Sequence, residues 1–165
     1  MMSREFYLLS TVLDRFEEAR SSEKRVYVSD VARHFSKRHA GRSSSALGRR
    51  LHSRIWGEPW VVLDLDEVCV PFPLAWRFEF GWLLGVADQV CFRKARPYAI
   101  VEYKSYEGVS RADIVQVLLY GTLVKLNFFS KIELLLKTGM GLTRVEDSFL
   151  VFEGLRIARR LCRSI

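Results

Sequence analysis

Three short stretches of this chain carry residues that could do chemistry. The first is Gly85-Val86-Ala87-Asp88, the second Ile100-Val101-Glu102-Tyr103-Lys104, and the third contributes Gln116 and Tyr120. Ala99 to Val101 is apolar and β-forming, which predicts a buried strand. Side chains alternate along a strand, so Glu102 and Lys104 project to one side and Tyr103 to the other. A carboxylate and an ammonium at the end of a buried strand cost desolvation energy unless they are paired or hold a metal. Asp88 closes the preceding apolar run, Trp82 to Ala87. A turn around Arg93 to Pro97 would fold the two runs into a hairpin and set Asp88 beside Glu102. Two carboxylates that close repel unless a cation lies between them, and hard divalent cations favour such oxygen ligands.

This acid, acid, ammonium constellation resembles the PD-(D/E)XK nuclease superfamily at Asp88, Glu102, Tyr103 and Lys104. The closer resemblance is to its RecB-like branch, which includes the CRISPR-associated exonucleases. Gly85 to Val90 looks like that branch's Asp motif, and Gln116 with Tyr120 looks like its Gln-x-x-x-Tyr motif. Upstream, Leu47-Gly48-Arg49-Arg50-Leu51-His52 looks like its helix bearing a metal-binding His. The matches run in the family's order over residues 47–120.

What the resemblance implies is a metal-dependent DNA nuclease, with Mg²⁺ or Mn²⁺ held by Asp88 and Glu102. It adds His52 and the backbone carbonyl of Tyr103 as ligands. Lys104 would orient the attacking water or neutralise charge on the scissile phosphate. Gln116 and Tyr120 would hold Lys104 or a DNA phosphate in place. Many CRISPR-associated relatives carry an iron–sulfur cluster on four Cys. This chain has three Cys, of which only Cys162 is C-terminal, so no such cluster is expected. Cys69, Cys91 and Cys162 read instead as buried thiols.

The elements that must position these residues follow from pattern. Residues 4–20 predict a helix with Phe6, Leu9, Leu13 and Phe16 on one face, supported by Tyr7, Val12 and Ala19. A second helix is expected from Ser29 as N-cap, and a third from Ser43-Ser44-Ser45 through Trp56. On that third helix His52 lies beside the apolar stripe of Leu47, Leu51 and Ile55. An isolated His there would be a hydrogen-bonded structural one; its place ahead of the Asp motif points to a ligand. Trp60 to Val70 predicts a strand that Pro71-Phe72-Pro73 ends. Asp64, Asp66 and Glu67 on it read mainly as solvent-facing. Trp76 to Leu84 predicts another strand, bending at Gly81, with Glu79 near the site but not counted as a ligand. Ser110 should cap a helix running to about Phe128, with Asp113 as a capping-box acid. Lys131 to Lys137 predicts a strand. The tail offers either a strand at Asp147 to Phe152 or a helix through Cys162, made basic by Arg156, Arg159, Arg160 and Arg163. Those arginines are either a solvated face or a phosphate track.

The expected fold is α/β: a restriction-endonuclease-like core with a central mixed sheet of about five strands, flanked by helices, after an N-terminal helical segment. At 165 residues the chain is expected to form one domain. Within it, residues 1–57 would be helical, 58–140 the catalytic core and 141–165 a basic segment. The net charge of +7 suits a polyanion, DNA first. No run is apolar enough to span a bilayer, and acids at Asp14, Glu17 and Glu18 interrupt any signal-peptide pattern. The expectation is a cytoplasmic protein without a membrane partner. There is no P-loop, no GxSxG elbow and no CxxC pair, which excludes sequence support for an ATPase, a serine hydrolase or a zinc module. Two alternatives stand beside the nuclease. One is a non-catalytic DNA-binding protein using a helix-turn-helix-like region at 29–56. The other is a nuclease-fold subunit that works only inside a larger repair or CRISPR adaptation complex; a second copy of the chain is a further expected partner.

Overall fold

The computed structural model describes residues 4–36, 67–146 and 148–165. The elements in order are α1 (Arg4–Ser21), β1 (Arg25–Tyr27), α2 (Val28–Arg33), β2 (Glu67–Phe78), β3 (Gly81–Arg93), β4 (Arg96–Tyr103), α3 (Arg111–Phe128), β5 (Glu133–Thr138), β6 (Gly141–Val145) and α4 (Leu150–Arg163). Among the described residues the strands form one mixed six-stranded sheet. β3 is its hub. β2 pairs antiparallel along one edge of β3, while β1 and β4 share the other edge; β5 and β6 extend the sheet beyond β4. The α/β class with a mixed sheet flanked by helices is therefore as expected.

Helices cover both faces. Neighbouring residues on a strand point to opposite sides, and Leu83 and Leu84 fall in different apolar clusters. Leu83 joins the main core with Ile100, Leu134, Leu136 and much of α3; Leu84 joins Trp82, Ala75 and the α1 residues Phe16 and Ala19. Phe72, Phe92 and Phe128 pack ring against ring in the main core, with centroids 5.0–6.1 Å apart. Buried Asn127 ties the layers together. It donates to Ala75 O of β2 at 3.0 Å and accepts from Arg15 of α1 at 2.9 Å.

Several expectations are corrected. β2 does not end at Pro71-Phe72-Pro73 but runs through both prolines to Phe78. Among the described residues it pairs with β3 alone, so the donors that proline lacks are not missed on its other side. The predicted strand across Gly81 is instead a hairpin with Glu79 and Phe80 in the turn. Gly81 has φ +133, and a Cβ there would lie 2.7 Å from Lys24 O. β1 precedes α2, so the helix starts at Val28 and not after a Ser29 cap. On α1 the buried stripe is Val12, Phe16 and Ala19, whereas Phe6, Tyr7 and Leu13 are exposed. The tail resolves into β6 and then a helix, with Cys162 a buried free thiol. Cys69 and Cys91 are not thiols: they are cross-strand partners on β2 and β3 and are joined as a disulfide. The third predicted helix with His52, the acids Asp64 and Asp66, and Asp147 lie outside the described residues. Among those described, no helix is long and apolar enough to cross a membrane.

Candidate active site

The site grows out of a gap in the sheet. Along one edge of β3, β1 pairs with Trp82–Leu84 and β4 with Gln89–Arg93. Gly85 to Asp88 are passed over by both. Backbone polar groups left this way must find partners elsewhere. Val86 O accepts from the Tyr120 hydroxyl at 3.1 Å, and Asp88 N donates to Glu102 Oε1 at 3.0 Å. Side chains of the candidate site thus complete the ladder. Gly85 makes room for this. A Cβ there would lie 2.7 Å from the Tyr120 oxygen and 2.9 Å from its ring. Overpacking of that kind costs about 1–3 kcal/mol. Gly85→Ala is therefore expected to lower the melting temperature by ~2–12 °C, and an unchanged melting curve would remove Tyr120 as the filler of the gap.

A bulge aims the first acid. Val70 pairs with Val90 and Phe72 with Ala87, so β3 spends one residue more than β2 in this interval. The extra residue falls at Asp88–Gln89. A bulge turns side chains away from simple alternation: Ala87 and Val90 both enter the main core, which strict period two forbids. Asp88 is thereby set against the end of β4. It is 2% exposed, and its Oδ2 accepts from Tyr103 N at 2.9 Å. Glu102 is fully buried.

The third element is α3. Ser110 caps it in a capping box with Asp113, as the sequence predicts. One turn further, Gln116 bridges the site. Its Nε2 donates to Glu102 Oε2 at 3.0 Å, while its Oε1 accepts from Lys104 Nζ at 2.8 Å. Lys104 Nζ lies 3.9 Å from Glu102 Oε2 and 3.7 Å from Asp113 Oδ1. The structure thus brings Asp88, Glu102, Tyr103, Lys104, Gln116 and Tyr120 into one cluster. Gln116 reaches Lys104 directly. Tyr120 does not; it is buried under β3 and holds Val86. Glu79 is not part of the cluster. It sits at the β2–β3 turn, about 25–30 Å from Asp88 at ~3.3 Å per strand residue. Sequence reasoning missed one member. Asp113 is more than a cap, since it also faces Lys104 and accepts from the Tyr106 hydroxyl. No spacing rule signals that, because Tyr106 lies in a loop.

The electrostatics follow from burial. Glu102 is pushed well above its usual carboxylate range, first by loss of water and then by the Asp88 charge; Lys104 and the Asp88 N–H pull the other way. Burial likewise raises the Tyr120 phenol, with Glu102 and Asp88 adding to it, so Tyr120 stays a donor. The consequence for stability has a definite sign. A carboxyl whose folded pKa is raised favours folding less as pH climbs from its unfolded value near 4.5 through the raised folded value. In EDTA, the melting temperature of the wild type should fall relative to Glu102→Gln across that window. Parallel pH profiles for the two proteins would rule out this burden on Glu102.

No family model matches the chain, and no curated protein matches it in sequence. Among solved structures, it is similar to that of SSO0001, with 16% identity and a TM-score of 0.53, over 94% of this chain and 85% of that one. It also aligns with a protein of Eubacterium rectale provisionally named an exonuclease, at 12% identity and a TM-score of 0.42, over 99% of this chain and 67% of that one. The first likeness is one of fold alone, and the second is too slight to carry an argument.

The donor set fits a hard divalent cation. Asp88 and Glu102 are oxygen donors packed together away from water, and Glu102 is driven toward its neutral form unless positive charge arrives. Among the described residues no third His, Cys, Asp or Glu joins them. Mg²⁺ commonly binds through one or two carboxylates and keeps several waters, so two acids suffice.

Proposed function

We propose that this protein is a Mg²⁺- or Mn²⁺-dependent deoxyribonuclease of the RecB-like kind. The observation that supports it best is the buried pair Asp88–Glu102 with Lys104 held over it by Gln116. When bound, the cation supplies a Lewis acid that polarises a phosphate oxygen and makes hydroxide available near neutral pH. Asp88 and Glu102 hold that charge in place. Lys104 neutralises charge developing on the phosphate or orients the attacking water. Gln116 aims Lys104, and Tyr120 holds the Val86 carbonyl of β3. Repair, recombination and CRISPR adaptation are the settings in which such a RecB-like exonuclease would work, in the cytoplasm. The test is incubation of labelled single- and double-stranded DNA with Mg²⁺, Mn²⁺ or EDTA. Strand scission that needs the cation supports the reading; DNA left intact under every condition overturns it for the isolated chain.

A further inference from the structure

Among the described residues a further concentration of charge lies on α4. Its buried stripe is Gly154, Ala158 and Cys162. Arg156, Arg159 and Arg163 are spaced i, i+3 and i+7, so they form a single exposed row beside that stripe. Together with Lys24 they line a groove of about 790 Å³ whose other wall is the β2–β3 turn. Glu79 is the one acid in that lining. Among the described residues none of these four cations forms an ion pair, whereas Arg20, Arg33, Arg93, Arg96, Arg111 and Arg144 each do. The groove thus presents a row of exposed arginines to solvent.

The groove also has an aromatic wall. Phe78 and Phe80 stack at 5.2 Å with their planes 3° apart, and both are half-buried at the turn. Unpaired guanidinium groups beside flat apolar rings are the combination that holds single strands, with phosphates on the cations and bases on the rings. A duplex keeps its bases stacked inside and would leave the rings unused. The arginine row spans ~10 Å at 1.5 Å per helical residue.

We infer that the groove between α4 and the β2–β3 turn binds single-stranded nucleic acid through its phosphate backbone. α4 starts beside the candidate site, where Glu153 pairs with Arg111 at the head of α3, and runs away from it to the turn. As a path for substrate the groove rests on the nuclease reading; as a binding site it does not.

The test is fluorescence anisotropy of a labelled oligothymidylate with the full-length Asp88→Asn protein in EDTA, titrated at several salt concentrations. Four cations on a single strand predict a slope of log K against log salt near −3, at ~0.7 per phosphate. Arg159→Ala/Arg163→Ala should reduce that slope by ~1.4 and weaken binding ~25-fold at 0.1 M salt, by the same ~0.7 per contact, with an unchanged melting temperature. An unchanged slope and affinity in the double variant would overturn the inference. So would equal binding of duplex DNA, or equal competition by polyglutamate or by phosphatidylserine vesicles. The two proposals separate cleanly. Loss of binding in the double variant without any scission by the wild type keeps the groove and discards the nuclease; scission with an unaltered slope does the reverse.

Discussion

Lys104→Ala is expected to lower cation-dependent strand scission by roughly 10²–10³, the usual cost of removing one preorganised charge from a developing oxyanion. The geometry is specific. Lys104 Nζ is held by Gln116 Oε1 at 2.8 Å and stands within 4 Å of both Glu102 and Asp113. Its side chain is 11% exposed, so little water is available to replace it. The same substitution should tighten the divalent cation, because it takes a positive neighbour away from Glu102. A slower enzyme with a better metal site is a pairing that simple unfolding would not produce. Single-turnover cleavage and thermal melting against Mg²⁺ read the two quantities separately. Full activity in Lys104→Ala would remove the lysine from the mechanism.

Asp88→Asn should invert the response to metal. The amide oxygen can still accept from Tyr103 N, as Asp88 Oδ2 does at 2.9 Å. What disappears is the negative charge that, after burial, contributes most to driving Glu102 upward. Without metal, the variant should therefore melt at a higher temperature than the wild type. With a cation at a hundred times its dissociation constant, the wild type gains about 2.7 kcal/mol, or ~5–11 °C for a protein of this size. The variant should gain close to nothing, and its cleavage should vanish. The two melting curves would exchange order as Mg²⁺ is added. A variant that is the less stable of the two in EDTA, yet responds to Mg²⁺ as the wild type does, would refute a cation site at this pair.

The parts of the molecule legible in its sequence are those set by local rules. Ser110 and Asp113 satisfy each other at the head of α3 whatever surrounds them. The β3–β4 hairpin is written in two apolar runs around a short polar turn, and it places Asp88 beside Glu102. Gln116 and Tyr120 lie one turn apart on a helix, so they had to share a side. Other features depend on the partner strand. Whether prolines end β2 turns on whether its second edge is paired. Which face of α1 is buried turns on how the helix meets β2 and β3. A cysteine has no partner until register sets Cys69 opposite Cys91.

Sequence alone determined the chemical inventory: two acids, a lysine, a glutamine and a tyrosine, in an order that suits metal-assisted hydrolysis. Tertiary structure decided their aim. The bulge at Asp88–Gln89 exists only because β2 and β3 are unequal over the same interval. The opening beneath Gly85 exists only because β1 and β4 stop short of each other on one edge. Both are differences between strands distant in the chain, and no window along a single strand contains them.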